Sequence, residues 1–574
     1  MSVMILPGTY IDVLPEGLIA PGQVTIGNLG ILGTASKGAV GKPTLLSSYN
    51  DALSIFGSYD SFMDPNDPTK RRANALTLVR ALQLAFASGA SIVYAVRVAD
   101  ANAAAAKAIL QSASGACVEL DANSPGLWGN SISVTVAQPG GSDILTRAQT
   151  VTLTQAQATA KQITLDHASV ASNRNRVSIR KLDGTTVSPS VVTAAPGANQ
   201  VEFTGATLVF GDTLDANSVV TAVYMVDPIL VAKVTVALGT AKEPYLVTDG
   251  NMLVAAINDP QSGSSLVTAA AGANAGERPT APQNLAFNGG ANGEVNPDYS
   301  DPITGFDSLL DFDAHIIVAA GQNATAVGAA LDAHCQKAST DVYKRDRIAV
   351  VGSDFAKGNT LPLTTTDIVT YVDKLIGNTL ASDRVVFVAP GFLASSAAAV
   401  DQPVNPVTLP GAYTAAVIAG MLAALEPHLS LTNKPVAVQG LEVKFNNAQL
   451  TELVQNRVTA LEIDRGIRVL RGQTTDVGPF REITTRRIVD FAKYGVRSAA
   501  GPYIGLLNND RVRGALRATI NSFLKGMLDD EMLVGYGLEV TATRDQQIKG
   551  MVQVTMTLQP VFSINFIHVT MILS

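Results

Sequence analysis

The sequence predicts an α/β and α+β multidomain protein: an α/β core domain, a C-terminal α+β domain ending in a β arm, and an inserted all-β outer module. Three observations predict it. Between about Thr304 and Gln473, short apolar runs alternate with helix-length segments, the cadence of a sheet covered by helices. From Gln138 to Ala241 the texture changes to Thr, Val, Ser and Asn with frequent turns and almost no helical periodicity, which reads as an all-β insertion. From about Phe480 a capped amphipathic helix leads into alternating strands.

The chain of 574 residues is too long for one core, and such a length implies roughly two to four domains. A formal net charge of −7 gives no general attraction to nucleic acid, so no nucleic-acid partner is expected. The two cysteines, Cys117 and Cys335, are far apart and lack CxxC spacing; they read as small buried residues, not as a disulfide framework or zinc site. Met1 to Pro7 has no basic n-region, and the longest apolar stretch, Ala415 to Leu425, is well short of a membrane span. A soluble protein made in a cytoplasm, with no membrane partner, is the expectation.

In chain order, residues 1–22 form an extended arm, punctuated by Pro7-Gly8, Pro15 and Pro21-Gly22. Residues 23–137 open the α/β domain, with a strand at Val24 to Thr34, a helix at Ala73 to Ala87, a strand at Ser91 to Val98 and an alanine-rich helical piece at Ala103 to Leu110. The β module occupies 138–241. Residues 242–479 complete the α/β domain, beginning with a long Ala-, Gly-, Asn- and Pro-rich surface loop at Ser262 to Asp301. Strands follow at His315 to Ala319, Arg347 to Val351 and Arg384 to Ala389, with helices at Thr325 to Gln336, Asp367 to Ile376 and Tyr413 to Leu425. Residues 480–560 are the α+β domain and 561–574 the terminal arm.

Catalytic patterns fail on inspection. Gly33 to Gly38 is followed by Ala39-Val40 where a phosphate loop needs Lys and Ser or Thr. Gly352 and Gly391 follow strands, the place for ligands in an α/β sheet, but neither sits in GxGxxG. His334 and Cys335 are adjacent, so on a helix they point about 100° apart and cannot form a dyad. Asp311 and Asp313 share one side of a strand but lack further oxygen ligands. No enzyme, cofactor or metal is expected.

The C-terminal helix starts at Asn508-Asn509-Asp510, whose side chains suit an N-cap, and runs to about Met527. Val512, Leu516, Ile520, Phe523, Leu524 and Met527 form its apolar stripe, with Arg513 and Arg517 beside it. Val552 to Gln559 alternates apolar and polar, as a half-buried strand does, and Pro560 ends that ladder. Then Phe562, Ile564 and Phe566 point one way and Ile567, Val569, Met571 and Leu573 the other. A chain end apolar on both faces suits a strand inserted between others, in its own subunit or a neighbour.

Several short motifs resemble, in order, the N-terminal half of contractile-tail sheath proteins: Pro7 to Ile11, Gly33 to Gly38 with Lys42-Pro43 and Phe56-Gly57, and Ser124 to Asn130. The region from Ile483 to Ser574, with Asn509-Asp510-Arg511 opening a helix, is similar to the end of that family; Pro502 to Gly505 departs from the aromatic, acidic stretch expected before the helix. The resemblance implies a virion subunit that assembles in the host cytoplasm as rings, six-fold, stacked helically around an inner tail tube protein, and contracts when a baseplate triggers it. A tail terminator protein is a further implied partner. It implies exchanged arms, here Val3, Ile5, Tyr10 and Ile11 at one end and Phe562, Ile564, Phe566, Val569 and Met571 at the other, adding strands to a neighbour's C-terminal domain. It also implies a tube-facing helix, here carrying Arg511, Arg513, Arg517 and Lys525. Another self-assembling virion component, of baseplate or capsid, and an α/β enzyme are the competing readings.

Overall fold

The computed structural model describes residues 27–59, 63–64, 67–71, 75–357, 363–394 and 407–572. Val3, Ile5, Tyr10 and Ile11 lie outside the described residues, as does Leu573. The chain divides into two compact units, 1–101 with 293–574, and 102–292.

In the first unit, continuous apolar runs make strands buried on both faces, as parallel sheets require. Leu29–Gly33, Ile348–Gly352 and Val385–Ala389 are buried at every position. The eight-stranded sheet has the order Thr44–Leu46, Val93–Arg97, Leu29–Gly33, Ile316–Ala319, Ile348–Gly352, Val385–Ala389, Val458–Ile463, Ile467–Val469. The pairs are parallel except the first and last. Leu78–Ala87 and Gly411–Ala424 share one apolar cluster against the sheet. Ala324–Ala338, Thr365–Ile376 and Asn447–Gln455 contribute to a second cluster. Gly411–Ala424 is apolar on all sides and almost entirely buried, which is what an all-round hydrophobic helix demands.

The crevice at the strand ends is filled by the chain itself. A Cβ on Gly352 would lie 1.8 Å from the Gly411 carbonyl oxygen, and one on Gly391 would lie 2.2 Å from that of Leu409. These glycines admit close backbone packing at the start of the buried helix.

The second unit is mostly β. One sheet has the order Ala241–Val247, Ala232–Leu238, Ile132–Ala137, Gln283–Ala286, and a three-stranded sheet joins Val267–Ala271, Gly115–Ala122 and Lys107–Ser112. The alanine-rich piece expected as a helix at Ala103 to Leu110 is thus corrected to a strand, Lys107–Ser112. Ala108, Leu110 and Ser112 face inward while Lys107, Ile109 and Gln111 face out, a period of two that overrides alanine's helix preference. The expected loop at Ser262 to Asp301 also contains two short strands, Val267–Ala271 and Gln283–Ala286, whose partners lie far back in sequence.

Residues between 145 and 231 build their own apolar core, including Leu165, Phe210 and Tyr224. Their ends meet: Ile132–Ala137 pairs antiparallel with Ala232–Leu238, and Ala137 stands opposite Lys233. The seam of this insertion is therefore 137/232, not 138/241, because Ala232–Leu238 is a central strand of the sheet that carries it. Replacing 138–232 with a two-residue Asn-Gly turn, so that Ala137 and Lys233 flank it directly, should leave a folded protein with a hairpin at the seam. Loss of the native circular-dichroism spectrum and melting transition on that excision would show that the insertion supports its base.

In the C-terminal region a helix that the sequence reading missed, Ile483–Ala500, precedes the expected one. The tail helix runs Asp510–Asp529, with the Asn509 side chain accepting from the Val512 N–H at 2.9 Å. It packs on a hairpin of Leu533–Thr541 and Gln553–Pro560. Pro560 is the last ladder residue, opposite Leu533.

Candidate assembly interface

The helix Ile483–Ala500 has two unlike faces. Toward the tail helix it is apolar and close: Phe491 and Phe523 rings lie 5.8 Å apart, and a Cβ on Gly495 would meet the Phe523 ring at 1.8 Å. Toward the α/β core it is ionic. Asp490 accepts from Arg384 at 3.1 Å and Arg486 at 2.7 Å, and Arg486 also reaches Asp383 at 2.9 Å. Asp346, its side chain fully buried, accepts from Arg384 at 3.2 Å, Arg497 at 2.5 Å and Lys493. Arg487 donates to the carbonyls of Leu425 and Glu426. Burial raises the Asp490 pKa, with Arg384 and Arg486 pulling against it. At Asp346 burial is outweighed by Lys493 and Arg497, which hold the carboxyl below its ordinary value. This network fixes the C-terminal elements to the core.

Two buried histidines flank it. Burial, then Arg347, Arg487 and Arg345, push His315 down to about 3; burial, then Arg347, push His334 down to about 4. His334 Nε2 accepts from Arg347 at 3.0 Å, so its Nδ1 carries the proton and donates to Asp307 at 3.3 Å. Both are neutral when folded and titrate near 6.5 when unfolded, so the unfolded chain binds more protons between those values. Stability is full above 6.5 and falls with acidification by about 1.4 kcal/mol per pH unit for each histidine until its folded pKa. Asp490 acts in the opposite sense. The urea midpoint should drop from pH 7 to pH 5, and His315→Phe should roughly halve that drop; an unchanged slope would refute the assignment.

The hairpin is a two-stranded sheet, so among the described residues the outer edge of each strand lacks a partner strand. Tyr536, Leu538, Val540, Val554, Met556 and Leu558 pack against the tail-helix core, while Glu539, Thr555, Thr557 and Gln559 face out. Beyond Pro560 the described arm, 561–572, joins no ladder within its own subunit, which leaves of the two sequence alternatives the strand in a neighbour. Phe562, Ile564, Phe566, Val569 and Met571 are 67–86 % exposed. An unpaired edge beside uncharged apolar side chains is a template for strand addition.

On the tail helix Arg511, Arg517 and Lys525 are exposed. Arg513 is not grouped with them: it is only 11 % exposed and bonds Asn508 Oδ1 at 2.7 Å and Asp510, locking the start of the helix. The remaining sequence candidates are structural. Cys335 is buried, which pushes its thiol up to about 12. Asp313 pairs with Arg345. Among the described residues no group of three or more His, Cys, Asp or Glu is placed to hold a metal ion, and no helix is long and apolar enough to cross a membrane.

Open strand edges beside an apolar segment are the equipment of proteins that assemble by strand addition. Residues 476–574, which contain this whole arrangement, match the family model of the phage tail sheath C-terminal domain, so the chain carries that domain and its resemblance to tail sheath proteins is established there. The fold is shared with the sheath tail protein of Listeria innocua, at 13 % identity over 96 % of this chain and 95 % of that one, TM-score 0.56. It is shared also with the sheath tail protein of Desulfitobacterium hafniense, at 13 % identity over 96 % of this chain and 100 % of that one, TM-score 0.52. Comparison with curated proteins gave no match.

Proposed function

We propose that this chain is the structural subunit of a contractile tail sheath: it polymerises in stacked rings as a helical tube around an inner tube protein and contracts to drive that tube through an envelope. The supporting observation is the two-edged hairpin beside the exposed apolar arm, both within the sheath-domain region. Arms from neighbouring copies would lengthen the hairpin into a larger sheet, and backbone ladders of this kind persist while rigid bodies reorient around flexible connections. No nucleotide is required, because the extended lattice itself holds the free energy released on contraction. Negative-stain microscopy of the purified protein is expected to show tubes of stacked rings. Single closed rings or monomers at every concentration would overturn the reading.

The exposed cations of the tail helix are assigned to the inner tube. Each exposed charge pair contributes only about 0–1 kcal/mol, yet repetition over many subunits fixes register while leaving every contact easy to release. Arg517→Glu with Lys525→Glu should leave subunit stability within about 0.5 kcal/mol and sheath self-assembly unchanged, while reducing co-assembly on the tube, scored by microscopy. Unimpaired co-assembly would show that these side chains are not the grip.

A further inference from the structure

A cleft of about 840 Å³, a size usual for small-ligand sites, lies within the insertion. One sheet of the insertion has the order Thr186–Val187, Arg176–Arg180, Val219–Met225, Thr146–Thr152, and the other has the order Gln162–Ser169, Gln200–Phe210, Ser190–Val192. The cleft is lined from both. In the first sheet Arg176 stands opposite Val223 and Ser178 opposite Thr221. Side chains alternate along a strand, so Arg176 and Ser178 share one face, with the buried Val177 turned the other way. The crossing to the second sheet adds the buried Pro189 and the hydroxyls of Ser188 and Thr193.

The loop 170–175 borders the cleft in a fixed shape. Asn175, only 4 % exposed, donates from Nδ2 to the Val170 carbonyl at 2.9 Å and accepts at Oδ1 from the Met225 N–H at 2.9 Å. Ser172 Oγ accepts from the Arg174 N–H at 3.2 Å. Asn173 is thereby held at the cleft with its amide exposed, and a site that is already ordered loses little entropy on binding.

Among the described residues the side chains of Asn173, Ser178, Ser188 and Thr193 make no hydrogen bond within the chain, and the Arg176 guanidinium meets no carboxylate. No Asp or Glu lines the cleft, which sets it apart in a chain of net charge −7. The lining thus offers one unneutralised planar cation, several hydroxyl and amide groups ready to donate or accept, and the apolar surface of Val223 and Pro189.

We infer that this cleft binds an acidic oligosaccharide, one whose sugar ring carries a carboxylate. The carboxylate takes both prongs of the Arg176 guanidinium, ring hydroxyls meet Asn173, Ser178, Ser188 and Thr193, and the C–H faces of the rings lie on the apolar surface. A phosphorylated ligand fits less well, since its charge of nearly −2 would face a single cation. A nucleic-acid strand would meet the negative charge of the whole chain. The inference concerns the insertion alone and does not rest on the assembly reading.

The test applies fluorescently labelled full-length chain, dispersed as subunits, to an array of neutral and carboxylate-bearing oligosaccharides, then measures the tightest acidic binder by calorimetry beside the same oligosaccharide with its carboxyl reduced to an alcohol. Binding of acidic members is expected. Carboxyl reduction and Arg176→Gln should each weaken it by about tenfold or more, as loss of a charge-assisted hydrogen bond does. Ser178→Trp should abolish it by filling the cleft from the face that Arg176 shares. Unchanged circular dichroism and urea midpoints confirm that both variants fold. Absence of any acidic binder with a Kd below about 1 mM overturns the inference, as does binding indifferent to both variants or equal binding of the reduced oligosaccharide.

Discussion

Asp490→Ala is expected to destabilise the subunit by about 3–5 kcal/mol, the usual consequence of removing one member of a buried charge network. The carboxylate neutralises Arg384 and Arg486, whose side chains are only 5 % and 6 % exposed. Without it Arg384 retains Asp346 and Arg486 retains Asp383, but both guanidinium groups keep buried N–H donors that water cannot reach. The effect should be local. Hydrogen exchange at 483–500 should rise with the fall in urea midpoint, because that helix is tied to the core by these charges. A loss below about 1 kcal/mol would show that neighbouring aspartates take over, and that the network is redundant.

Deletion of residues 562–574 should abolish tube formation while leaving the subunit folded. The large apolar side chains removed are 67–88 % exposed where described, and exposed groups away from packed features change stability by only about 0.5 kcal/mol or less. The loss therefore falls on assembly alone. Sedimentation and microscopy at matched concentration distinguish the outcomes: soluble monomer supports the arm as the joint between copies, and tubes of normal length refute it. A melting temperature lowered by many degrees would instead mean that the arm belongs to its own subunit's core.

The parts of the fold that were legible in the sequence are those whose own residues carry the signal. The central strands show as unbroken apolar runs because both faces are covered. The tail helix shows through Asn509 and the three-and-four spacing from Val512 to Met527. Ile483–Ala500 was missed although half of its signal was present: Ile488, Phe491, Ala492, Gly495, Val496 and Ala499 recur at three and four residues on the face against the tail helix. Its other buried positions, Thr484, Thr485, Arg486, Arg487 and Asp490, make a polar face that sequence does not mark as buried. The partners that make those charges tolerable, Asp346 and Arg384, lie more than a hundred residues earlier. Lys107–Ser112 was misread because composition was weighed before alternation. Within the interface, the apolar character of the arm was readable from Phe562 onward, and so was the i,i+3 pair of Arg513 with Asp510 on the tail helix, but the hydrogen bond that holds Arg513 against Asn508 depends on a loop conformation that spacing does not reveal.

The pairing of Ala137 with Lys233 has a consequence for grafting. A strand pair whose ends stand opposite each other is a socket: whatever is spliced between them need only have its own termini close together. Closing a flexible loop costs only about 0.6 kcal/mol more for each doubling of its length, so the socket is nearly indifferent to the size of its cargo. On the sheath reading proposed above, residues 138–231 are therefore the position at which a foreign domain is best grafted, because the strand pair at their base closes whatever it carries.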